Sequence, residues 1–95
     1  MPAVGVLILE LQIEDSHSLK DKRHYVKSLK DRLRAKFNVA VAEIDHQDLW
    51  QRGTVAVVTV SSDQGHAAQV LENVERDAAA LLGRALAGAS TEWLG

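Results

Sequence analysis

An α+β fold of order β-α-β-β-α-β is predicted from three observations. Three aliphatic or β-branched runs, Ala3 to Ile13, Val39 to Asp45 and Thr54 to Ser61, are interleaved with two segments of helical period, and a weaker run closes the chain. Ser18 and Ser62-Asp63 stand just before the helical segments, where capping residues belong. The chain has 95 residues, enough for one domain over 1–95, and its two middle strands are separated only by a short polar loop. Two helices split by a hairpin match the split βαβ, ferredoxin-like arrangement: a four-stranded antiparallel sheet with both helices on one face.

The first strand, Ala3 to Ile13, has apolar residues on both alternating sets: Val4, Val6 and Ile8 against Leu7, Leu9, Leu11 and Ile13. Glu14-Asp15-Ser16-His17 breaks it. Ser18-Leu19-Lys20-Asp21 reads as a capping box opening a helix to about Lys36, whose buried stripe is Leu19, Val26, Leu29, Leu33 and Phe37. Asn38 ends it. In the second strand Val39, Val41 and Glu43 point one way and Ala40, Ala42 and Ile44 the other. His46 to Arg52 is a loop, and Gly53 precedes the β-branched third strand. The second helix spans Gln64 to about Arg84, with Ala67, Val70, Leu71, Val74, Ala78, Leu81 and Leu82 at helical spacing and Gly83 at its end. Leu86 to Leu94 is the last strand.

Composition removes several function classes. The chain has no Cys, so disulfides, thiolate metal sites and thiol catalysis are excluded. Nucleophile-elbow, phosphate-loop and dinucleotide glycine motifs are missing. Ala3 to Leu11 has no basic segment before it, is interrupted by Glu10, and is under half the roughly 20 apolar residues of a membrane span. It is expected to be a buried strand of a cytoplasmic protein, without cofactor or metal.

Two helices cover one sheet face, yet the first and third strands are apolar on both. Something must cover the other side, so self-association through the open face or a strand edge is expected.

The formal charge of −2 hides a segregation. Residues 19–37 hold eight cations and two carboxylates, a net of +6; the other three cations and eleven carboxylates carry −8. With Lys20 at about 0°, Arg23, Lys27, Lys30 and Arg34 fall near 300°, 340°, 280° and 320°, and the apolar face near 230°. Five cations thus form one stripe about 80° wide beside the core face. Such a stripe suits a phosphate backbone or an acidic protein surface; a solvated face with snorkelling stems is the plainer reading. The first and third strands lack aromatic residues, so bases are not expected to stack on the sheet.

Lys22 falls near 200°, inside the apolar arc, and is expected to pair with Asp15 or Asp45. Glu43, Asp45, His46 and Asp48 cluster at the end of the second strand, but alternation sends Glu43 and Asp45 to one face and His46 to the other, which argues against a metal site. Trp50 and Arg52 in the hairpin loop form a candidate partner or protomer contact.

The blocks Ser18-Leu19-Lys20-Asp21-Lys22-Arg23, Phe37-Asn38-Val39-Ala40-Val41-Ala42-Glu43 and Asp45-His46-Gln47-Asp48-Leu49-Trp50-Gln51 resemble the YlxP-like bacterial family, domain of unknown function 503. The resemblance spans essentially the whole chain and implies a small cytoplasmic ferredoxin-like protein with no established catalytic residue. It also implies a genetic setting near transcription and translation genes, like that of a ribosome-assembly factor. The reading is a non-catalytic, self-associating protein that binds RNA or the ribosome through its first helix. The alternative is an enzyme or small-anion binder whose site, built on Lys22, Glu43, Asp45 and His46, lies between protomers.

Overall fold

The structure, a computed structural model, describes residues 1–94. Its elements are β1 (Ala3–Gln12), α1 (Leu19–Lys36), β2 (Ala40–Asp45), β3 (Arg52–Ser61), α2 (Gln64–Leu82), one 3-10 turn (Gly83–Ala85) and β4 (Leu86–Leu94). The strands form one antiparallel sheet in the order β2-β3-β1-β4, the ferredoxin-like arrangement. The last strand pairs with β1 as far as Leu94, with one register shift between Glu10 and Leu11, and its Gly88 and Ala89 sit opposite Glu10 and Leu9.

Sequence alternation decides which face is the core. Leu7, Leu9 and Leu11 of β1, Val55 and Val57 of β3 and Val41 of β2 are buried against Val26, Leu29 and Leu33 of α1 and Leu71, Val74 and Ala78 of α2. α1 lies over β2, and α2 over β1 and β3. The opposite face pairs Val4 with Val60, Val6 with Val58, Ile8 with Ala56 and Ala42 with Ala56, and no element covers it among the described residues.

Local departures from the sequence reading have local causes. The Ser18 hydroxyl accepts from Asp21 N at 3.0 Å, but the Asp21 carboxylate reaches back past Ser18 and accepts from His17 N. Phe37 rather than Asn38 is the C-cap, and Val39 N donates to Phe37 O, so β2 starts at Ala40. Asp63 rather than Ser62 caps α2, because its two oxygens reach Gly65 N and His66 N together. α2 stops at Leu82 because Gly83 takes a positive φ of 55°.

Candidate functional site

The eight cations of α1 serve three different ends. On the side facing α2, Arg32 Nε lies 2.9 Å and Lys36 Nζ 2.7 Å from the carboxylate of Asp77. Hydrogen bonding from Arg32, then from Lys36, holds the Asp77 carboxyl below the usual carboxylate range, and Asp77 in turn raises the Arg32 guanidinium. These two cations clip helix to helix.

The far flank carries the predicted stripe. Lys20, Arg23, Lys27 and Arg34 are exposed and Lys30 is half-buried. Lys27 Nζ is 2.6 Å from Asp31, whose carboxyl is lowered mainly by that bond. Arg34 Nη2 donates to Val41 O at 2.9 Å, so the stripe runs beside the edge strand β2 and closes part of its edge. Lys20, Arg23 and Lys30 make no ion pair among the described residues. From Lys20 to Arg34 the row extends about 21 Å.

Lys22 is the third case. Its side chain is 1% exposed. Nζ donates to His46 O at 2.6 Å, Gln47 O at 3.1 Å and Arg52 O at 3.2 Å. Its three protons thus go to carbonyls at both ends of the β2–β3 loop. The expected carboxylate partners, Asp15 and Asp45, are not the ones used: Glu43 Oε2 approaches Nζ at 3.0 Å and receives no hydrogen bond itself. The approach of Glu43 needs a glycine at 53 on the neighbouring strand, where an added Cβ would stand 3.0 Å from Oε2.

The predicted polar cluster is therefore divided. A register shift between Glu43 and Asp45 places Glu43 opposite Val55 and Asp45 opposite Thr54. Val55 faces the helices and Thr54 the open side, so Glu43 and Asp45 lie on opposite faces rather than the same one, as strict alternation had it. Asp45 instead accepts from His46 N at 2.8 Å, with His46 Nε2 at 3.9 Å from its other oxygen. His46 has a φ of 61°, a conformation the Lys22 contact to its carbonyl helps to hold. Asp48 is exposed. No three His, Asp or Glu side chains among the described residues could together hold a metal ion.

The loop displays Leu49 and Trp50, the latter half exposed, with Arg52 exposed at its exit. It is pinned a second time by Gln51, whose side-chain amide donates to Ser16 O and Glu14 O and whose backbone carbonyl accepts from Ile13 N. Beside it, a cleft of ≈ 650 Å³ is lined by Glu14, Asp15, Tyr25, Leu82 and Arg84.

Sequence reasoning missed Asp77 and Gln51. Arg32 and Lys36 flank the apolar stripe of α1 on the side away from the basic row, a signal that they face a neighbour; nothing in the spacing says which carboxylate meets them. Gln51 carries no such signal.

A family model described as "Protein of unknown function (DUF503)" matches residues 4–88. The chain is 38% identical over 71 residues to the "Uncharacterized protein YlxP" of Bacillus subtilis (strain 168), covering 75% of this chain and 77% of that one. Among solved structures it resembles the de novo designed protein Foldit4, with a TM-score of 0.65 at 14% identity over 100% of this chain and 98% of the other. It also resembles a dimeric ferredoxin-like protein of unknown function from Thermobifida fusca YX, with a TM-score of 0.51 at 18% identity over 97% and 91%. These structural likenesses are of fold.

Proposed function

The chain belongs to the DUF503 family of proteins of unknown function, and from that premise we propose that it is a non-catalytic cytoplasmic protein that binds RNA or the ribosome through the outer flank of α1, and that it acts as a homo-oligomer. One observation carries the reading. The cations of α1 facing α2 are neutralised by Asp77, whereas Lys20, Arg23 and Lys30 on the outer flank have no ion pair among the described residues. A row of unneutralised cations on a rigid helix suits phosphates and carries no base readout. No helix among the described residues is long and apolar enough to cross a membrane. The dimeric Thermobifida fusca protein of similar fold supports self-association.

The test is co-sedimentation with ribosomes and gel shift with single-stranded RNA. Lys27 and Arg34 are engaged within the fold, so the informative variant is Lys20→Glu/Arg23→Glu/Lys30→Glu. Binding is expected to be lost with the helical circular dichroism unchanged. The wild-type slope of log K against log salt should be about −2 to −3.5, for three to five phosphates. Unchanged co-sedimentation of the triple variant rejects the reading. A thermal shift with nucleotides, phosphate or divalent ions would favour the small-ligand alternative instead.

A further inference from the structure

We propose that the open face of the sheet is a two-fold interface between two copies of this chain, so that the working unit is a four-layer α/β/β/α dimer. An antiparallel sheet with one wet face alternates polar residues outward. Here the outward positions of β1 are Val4, Val6 and Ile8, and those of β3 are Ala56, Val58 and Val60. Ala40 and Ala42 extend the patch across β2, and Leu94, opposite Val4, extends it into β4. Val60 is 57% and Leu94 54% exposed. Glu10 lies at one end of this surface, where its carboxylate accepts from Thr54 Oγ1 at 2.9 Å.

Area selects the occupant. Strands of ten residues are about 33 Å long, and four strands are about 19 Å across, a face of roughly 500–600 Å². Two such faces bury about 1,000–1,200 Å² together, enough to pass the threshold of about 1,000 Å² for a specific interface. Aliphatic sheets of this kind stack about 10 Å apart. The face also lacks the aromatic platforms that nucleic acid would need. Edge pairing answers less well. The β2 edge is partly closed by Arg34 and broken by its bulge, and pairing through β4 would leave every one of these aliphatic side chains in water.

This inference is independent of the RNA reading, because the α1 cations lie on the helical side of the sheet. Sedimentation velocity on the full chain from 1 to 100 μM is expected to show a species of about 21 kDa, twice the 10.4 kDa chain. Val60→Glu and Ala42→Glu, made separately, alter residues exposed in the single chain and so keep its fold by circular dichroism. Each places a carboxylate in the desolvated face of both copies and is expected to weaken the dimer at least about a hundredfold. Ala79→Glu, on the exposed side of α2, should leave it unchanged. A monomer throughout the range overturns the proposal. So does a dimer undiminished in both face variants, which would assign the contact to the β4 edge. Ribosome co-sedimentation of the monomeric variants bears on the RNA reading alone.

Discussion

Lys22 shows how much one buried charge can organise. Its ammonium joins the first turns of α1 to both ends of the β2–β3 loop and holds Glu43 at 3.0 Å. Lys22→Met would leave three carbonyls and a carboxylate without their cation, at a cost of about 3–5 kcal/mol by urea denaturation. Adding Glu43→Gln should recover part of that loss, since the orphaned charge is then gone; a double-mutant cycle with no coupling would show that Glu43 is not Lys22's electrostatic partner. That Lys22 turns inward was legible from its angle within the apolar arc. Its choice of Glu43 over Asp15 and Asp45 was not, because the bulge after Glu43 determines which carboxylate faces the helices. Gly5 is a second instance of residue-scale packing. A Cβ there would meet Leu71 at 2.7 Å and Trp93 at 2.8 Å, so Gly5→Ala is expected to destabilise by about 1–3 kcal/mol.

At the scale of elements, the two helices are tied by apolar packing and by the Asp77 clip. Both cations of the clip are about half exposed, so its contribution is screened. The sign of its pH dependence follows from the lowered Asp77 carboxyl. The folded-state value lies under the unfolded one, so the clip's contribution is full above the ordinary carboxylate value near 4 and is lost as pH falls through the lowered value. Asp77→Asn should therefore melt about 2–4 °C below the wild type at pH 7, and the difference should close in acid once pH has fallen through the lowered Asp77 value. A difference that persists at pH 2 would mean that the side chain acts by packing, not by charge. The elements themselves were legible: capping residues, a 3.6-residue period and β-branched runs placed all six. Their ends moved by one or two residues, as where Gly83 stops α2 at Leu82 and the cap at Phe37 delays β2 to Ala40.

At the scale of the whole molecule, the shape is a slab of 44 × 22 × 19 Å. Its shortest dimension is that of one sheet and one helix layer, each about 10 Å thick. One broad side is the pair of helices, with the basic row along its β2 margin; the other is bare aliphatic sheet. Amino-acid order alone determined the α+β class, the strand and helix sequence, the concentration of positive charge on α1 and the presence of apolar residues on both sheet faces. All of these depend on residue type and short-range periodicity. Tertiary structure decided which of the eight α1 cations are neutralised. Arg32 and Lys36 meet Asp77 45 and 41 residues away, Lys22 meets the loop 24 to 30 residues on, and Lys20, Arg23 and Lys30 make no ion pair among the described residues. Periodicity places a side chain on a face of its own helix, but the charge it meets there depends on how the chain returns.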